Sequence, residues 1–185
     1  FSCYDAGARM PMLMRWPRRI APGSVCRELT SNIDFAPTFY DLCGIEPPKD
    51  AVIDGRSLRP LLTGDGAYER PSLYLEIGST RAVVSSENYK YVAVRFPPEI
   101  EEKIEQGARY THWALPMDKA HHTYNNEKHY PAYFDRDQLY NLKTDPREQN
   151  NLASDPAHRQ RLQALKKELA SYCRTLPHTF GEFTN

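Results

Sequence analysis

Four of the six histidines, His112, His121, His122 and His129, fall between residues 97 and 131, interleaved with Trp113, Tyr110, Tyr124 and Tyr130. Imidazole donates and accepts hydrogen bonds and changes charge near neutral pH, and aromatic rings offer flat apolar faces with a polar rim. The stretch has no helical or strand period. Long connections of this kind either carry function or lack order. Two readings stay open: a loop that contacts a ligand, and a surface loop merely pinned by its rings. A metal site from His121, His122 and His129 has spacing that matches no standard zinc site.

Other groups have chemical uses that compete with structural ones. Arg9 can grip an oxyanion with its guanidinium fork or form an ion pair. Asp34 can serve as a ligand or base, or cap a helix. Asp135 and Asp137 flank Arg136, as paired carboxylates or as a polar turn. Lys166-Lys167 reads as a solvated helix face. Cys3, Cys26, Cys43 and Cys173 contain no C-x-x-C, which argues against a zinc ribbon or thioredoxin-like site; they allow up to two disulfides, or buried thiols.

The elements that hold these groups fall into two compositions. In the first, Met10 to Arg15 reads as a short apolar strand starting near Pro11, and Pro22-Gly23-Ser24 as a turn. Residues 31–43 read as a helix, with Phe35, Phe39, Leu42 and Cys43 on one face, Pro37 in its first turn and Gly44 as its stop. From about Ala67 the chain turns β-rich. Residues 72–77, 80–84 and 89–96 read as strands, with a hairpin turn at 85–88, and 138–142 as another. Asp155-Pro156 opens a final helix with a Leu162, Leu165, Leu169, Tyr172 stripe. The fold class is therefore α/β: residues 1–66 as the end of a larger α/β core, and 67–185 as a small antiparallel sheet packed against a long C-terminal helix.

With 24 basic and 24 acidic residues in 185, the chain has zero formal charge, which argues against a basic nucleic-acid clamp. It is 40% hydrophobic and 26% charged, a globular balance that excludes collagen and intrinsic disorder. The longest uncharged apolar stretch, Met10 to Met14, is far short of the ~18 residues of a membrane span. The chain opens without Met or a signal-peptide pattern, and is read as a mature product or a piece of something longer.

Several blocks resemble, in order, the C-terminal part of type I sulfatases of the alkaline phosphatase superfamily. Tyr4-Asp5-Ala6-Gly7-Ala8-Arg9-Met10-Pro11 resembles Y-E-G-G-x-R-x-P, and it runs on into Trp16-Pro17. Residues 30–38, TSNIDFAPT, resemble S-x-x-D-h-x-P-T, and 54–62, DGRSLRPLL, resemble G-x-S-L-x-P-L-L. Residues 139–152, LYNLKTDPREQNNL, resemble L-Y-D-L-x-x-D-P-x-E-x-x-N-L. Asp5 for Glu and Ala6 for Gly depart from the pattern.

The resemblance implies an arylsulfatase-like sulfuric ester hydrolase acting on a sulfated carbohydrate, with a formylglycine nucleophile and a calcium ion. It implies an extracytoplasmic location: periplasmic, secreted or lysosomal. The family's C/S-x-P-x-R motif is absent from these residues; the nearest imitation, Ser154-Asp155-Pro156-Ala157-His158, fails at its last position. No catalytic residue or metal ligand is therefore expected here, and the partners are the rest of the catalytic domain and a sulfated glycan, with no nucleic acid and no membrane span. The family's sulfate-binding lysine would fall one residue before Phe1. Within the chain, His112, His121 and His122 are the candidate substrate contacts. Alternatives are a phosphodiesterase or phosphonate monoester hydrolase of the same superfamily, or a non-catalytic glycan-binding remnant.

Overall fold

A computed structural model of the chain describes residues 2–118 and 127–183. They resolve into two compact units, one of residues 11–73 and one of residues 1–10 with 74–185.

The larger unit is built on a four-stranded sheet in sequential order, β1 (Ser72–Ile77), β2 (Thr80–Ser85), β3 (Tyr89–Val94) and β4 (Asp137–Asn141). β2 and β3 pair antiparallel with Val83 opposite Tyr91, and β3 and β4 with Tyr91 opposite Leu139. Side chains alternate across a strand, and here both faces are covered. One face carries Val83, Tyr91, Ala93 and Leu139 against Leu165, Leu169 and Cys173 of the helix α5 (Arg159–Cys173) and against Phe180 and Phe183 of the tail. The other carries Ala82, Val92, Val94 and Tyr140 beneath Cys3, Tyr4, Tyr130 and Tyr133. The sheet is thus the middle of three layers. The third layer comes from the start of the chain and from the end of the connection between β3 and β4.

The expected final helix is present. The Asp155 side chain accepts the Ala157 amide at 2.8 Å, and Pro156 begins a single 3-10 turn that leads into α5. Lys166 corrects its reading as purely solvated. Its ammonium bonds Asp137, which also accepts Tyr91 Oη at 2.6 Å and Arg95 at 2.9 Å. Arg95 in turn donates to Glu182 at 2.7 Å, so one carboxylate ties β4 to β3 and α5, and Arg95 carries the tie on to the tail.

Burial opposes the Asp137 charge, but the hydrogen bonds from Lys166, Tyr91 and Arg95 outweigh it and hold the carboxyl at about 2. A carboxyl lowered in the folded state stabilises above its unfolded value, and that contribution is lost as pH falls from ~4 through the folded value. Asp137→Asn is expected to cost about 1–2 kcal/mol at pH 6, allowing for solvent screening, and to converge towards the parent near pH 2. Urea melts of both proteins between pH 2 and 6 check this; a constant difference would refute the linkage.

The smaller unit departs more from expectation. Residues 10–15 do not form a strand; they pair with no strand among the described residues. The helix expected over 31–43 divides into a 3-10 turn at Asn32–Asp34 and α2 (Phe35–Cys43), and Gly44 closes it with a φ of 64°. Its expected apolar face is not buried: Phe39 is 60% exposed, and Thr38 is the residue inside. A short helix, α3 (Arg59–Thr63), follows. Two further helices lie in the larger unit: α1 (Asp5–Ala8), and α4 (Pro98–Glu105) inside the connection that carries no sequence period.

Candidate functional site

The N-terminal segment of the larger unit is held by buried polar groups that the sequence did not single out. Tyr4 is fully buried, stacks on Tyr130 at 3.7 Å between ring centroids, and donates to Gln138 Oε1 at 2.8 Å. Tyr140 donates to the same oxygen at 2.9 Å, and Gln138 Nε2 donates to the Asp135 carbonyl. Burial of a hydroxyl is tolerable when it is bonded, and one Gln138 carbonyl satisfies two tyrosines.

Beside them Lys90 of β3 is entirely enclosed. Its ammonium donates to the Cys3 carbonyl at 3.1 Å, to Asp5 and to Glu148 Oε1 at 2.7 Å, using all three protons. The other Glu148 oxygen accepts the Asp5 amide at 2.7 Å. Burial raises the Glu148 carboxyl above its ordinary value, against the pull of Lys90. Glu148 also sits at a left-handed φ of 56°, uncommon outside glycine. The turn around it is braced by Asp145, whose carboxylate accepts the Gln149 and Asn150 amides, and by Gln149, whose amide group bonds the His129 carbonyl at 2.9 Å. A cavity of about 420 Å³ opens here, with Ala6, His129, Tyr130, Arg147 and Gln149 in its lining.

The three candidate histidines have different positions. His121 and His122 lie outside the described residues, as does Tyr124. His112 is buried, stacked on Tyr133 at 3.8 Å, with Nε2 2.9 Å from the Tyr133 carbonyl. Its backbone amide donates to Tyr133 Oη at 2.8 Å. Burial, partly offset by the Tyr133 contact, pushes the imidazole down to about 4. The ring is neutral at pH 7, so Nε2 carries the proton that it donates to the Tyr133 carbonyl. Nδ1 then has no hydrogen-bond partner among the described residues.

The competing structural readings are also placed. Asp34 is fully buried; it accepts the Ser31 amide at 2.7 Å and the Arg56 amide at 2.9 Å, and pairs with the Arg70 guanidinium. It organises the smaller unit from inside. Arg9 is 74% exposed at its side chain and lies 3.5 Å from Asp5. All four cysteines are free, with Cys3 and Cys173 buried and Cys26 and Cys43 exposed. Burial pushes the Cys3 thiol up to about 11, so it remains protonated. Among the described residues no group of His, Cys, Asp and Glu could hold a metal ion, and no helix is long and apolar enough to cross a membrane.

A helix-backed antiparallel sheet, tied from its other face by an N-terminal Y-D-A-G-A-R segment, places the chain with the C-terminal region of the alkaline-phosphatase-like α/β proteins. The family described as N-sulphoglucosamine sulphohydrolase, C-terminal, matches residues 2–95. Mouse (Mus musculus) steryl-sulfatase is 36% identical over 167 residues, covering 88% of this chain and 25% of that protein. N-acetylglucosamine-6-O-sulfatase of Bacteroides thetaiotaomicron is 34% identical over 152 residues, covering 80% of this chain and 22% of its own. A solved structure in complex with its substrate D-glucosamine-2-N,6-O-disulfate has a TM-score of 0.56 at 25% identity, covering 85% of this chain and 26% of that one. The chain therefore belongs to the N-sulphoglucosamine sulphohydrolase C-terminal family of sulfatases. It spans about a quarter of the length of each of these three proteins.

Proposed function

We propose that these residues are the C-terminal portion of a sulfatase that hydrolyses sulfate esters of a carbohydrate. The observation that carries the reading is the family match over residues 2–95. In this reading residues 1–66 finish the catalytic α/β core and 67–185 form the C-terminal subdomain. The formylglycine nucleophile and the calcium ion belong to the rest of the polypeptide. The described residues offer no metal-ligating group that fits calcium, so no chemical step is assigned to them. An extracytoplasmic site of action goes with the same reading.

Exposed apolar residues of the smaller unit support a role in closing a larger core. Leu13 is 98% exposed, Val25 78% and Val52 89%, which is costly for surfaces left in water. The remainder of the catalytic domain is the partner proposed to cover them. The connection between β3 and β4 is proposed to border the substrate cleft. His121 and His122 are the candidate contacts there, together with His112, which is enclosed at the base of the connection with its Nε2 on the Tyr133 carbonyl.

The polypeptide that joins this chain to an upstream sulfatase core is expected to release sulfate from 6-O-sulfated glucosamine with calcium present. The 185-residue chain alone is expected to release none. Sulfate release followed by ion chromatography decides it. Turnover by the chain alone refutes the division of labour, and release of phosphate but not sulfate from matched esters favours the phosphohydrolase alternative.

A further inference from the structure

At the end of the connection between β3 and β4, the single 3-10 turn Glu127–His129 is tied to the turn that carries Arg147 and Glu148. Gln149 makes the tie. Its side-chain amide donates to the His129 carbonyl at 2.9 Å and to the Arg147 carbonyl at 2.8 Å. Both of its protons are thus spent on the backbone of two exposed residues. The turn itself is set by Asp145, whose carbonyl accepts the Glu148 amide at 3.1 Å and whose carboxylate accepts the Gln149 and Asn150 amides. These bonds place Arg147 and His129 together in the lining of one cavity of about 420 Å³.

The side chains around that cavity have donors to spare. Among the described residues, nothing pairs with the Arg147 guanidinium, the His129 imidazole or the Tyr130 hydroxyl. Tyr130 is only 7% exposed, and its ring is fixed by stacking on Tyr4 at 3.7 Å. A hydroxyl enclosed to that degree ordinarily has a partner. Burial and the nearby Glu148 and Asp5 charges push it up to about 12, so it stays protonated and able to donate. Glu148, the acid in the lining, has both oxygens occupied, one by Lys90 and one by the Asp5 amide. Gln149 Oε1 is an unengaged acceptor beside these donors.

We propose that this cavity is an anion subsite for the glycan, in which Arg147 grips a second charged substituent, a sulfate or a carboxylate, while a different ester of the same molecule is hydrolysed. The inference rests on the sulfatase reading for its ligand class. The guanidinium fork meets two oxygens of a sulfate or a carboxylate at once. His129 and Tyr130 complete the set of donors, and Gln149 Oε1 accepts from a neighbouring ring hydroxyl. The volume falls within the ~300–1,000 Å³ of small-molecule sites, room for one sugar ring and its substituent. Among the described residues no serine, threonine or cysteine stands in the lining, so the anion there is held and not attacked. The consequence is a preference for glycans that carry more than one charge.

The test uses the complete polypeptide carrying this chain and three probes. One is 6-O-sulfated glucosamine, with a single anionic group. The second is 2-N,6-O-disulfated glucosamine, whose second anion is a sulfate. The third is a disaccharide of a hexuronic acid and 6-O-sulfated glucosamine, whose second anion is a carboxylate. Calorimetric titration reads binding, and ion chromatography reads sulfate release. The parent is expected to bind at least one doubly charged probe about tenfold more tightly than the singly charged one. The probe that gains identifies the substituent. Arg147→Gln is expected to erase the gain and to raise KM for that probe about tenfold, with kcat within about twofold. The singly charged probe and the melting temperature are expected to stay as they were. Lys167→Gln removes an equal charge from α5, on the other face of the sheet, and is expected to change nothing. Equal affinity of the parent for all three probes overturns the subsite, as does an Arg147→Gln protein that keeps the gain. An equal loss for the singly charged probe also overturns it, by placing the reacting sulfate on Arg147. So does a matching loss in Lys167→Gln, which would reduce the effect to general attraction. If Arg147→Gln erases the gain in binding but the parent releases no sulfate, the subsite stands and the sulfatase reading fails; sulfate release with the gain untouched gives the reverse.

Discussion

Lys90→Met is expected to destabilise the larger unit by about 3–5 kcal/mol, the cost of stranding a buried charge by removing its partner. Methionine matches the stem in length, so the change is electrostatic. It leaves Asp5 and the enclosed Glu148 carboxylate facing each other without the ammonium that both contact. The loss has a predictable pH dependence. The Glu148 carboxyl is already raised in the folded state by burial, and removing Lys90 raises it further. A group raised on folding contributes stability that is present below its unfolded value and lost as pH rises through its folded value. The variant should therefore be closer to the parent at pH 5 than at pH 8. Urea unfolding at both pH values measures this. A smaller deficit at pH 8 would show that the lysine, not the carboxylate, carries the strain.

Leu169→Ala is expected to cost about 2–5 kcal/mol, and Leu165→Ala a similar amount, through lost burial and the cavity left behind. Leu169 is fully buried and Leu165 7% exposed, in one cluster with Val83, Tyr91 and Leu139 of the sheet. Leu162, partly buried at the margin of that cluster, should cost less. Chemical denaturation of the three variants tests the ranking; equal losses would mean that α5 does not dock as a stripe.

The β2–β3 hairpin was legible because its strands are bounded by turn residues and rich in β-branched and aromatic side chains. Asp155, Pro156 and the leucine stripe likewise marked the final helix. Lys90 was not legible. In Tyr89-Lys90-Tyr91-Val92 a lysine reads as the solvent-facing member of an alternation, and nothing local signals that a third layer covers that face. Its partners are 85 and 58 residues away in sequence. Glu148 did lie in a recognised block, but its left-handed backbone and its burial have no sequence signature. Residues 10–15 show the opposite failure. Their apolar pattern predicts a strand, yet strand geometry needs a neighbour, and none of the described residues supplies one. The histidine-rich connection was singled out for its composition. Composition could not say that His112 would be enclosed at the base of the connection, stacked on Tyr133.

The Asp5 amide and the Glu148 carboxylate that accepts it are 143 residues apart. On a ribosome, which adds about 5–20 residues each second, the start of this segment waits many seconds for its fastener. During that interval Tyr4 and Cys3 have neither Gln138 nor Tyr130 to lie against. Contacts of such long sequence separation close late, because the loop entropy must be met before they form. A transcript cut short anywhere before the codon for Glu148 would therefore yield a polypeptide in which the stretch from Cys3 to Asp5 is never fastened. The damage from a late stop codon would appear at the beginning of the segment as well as at its missing end.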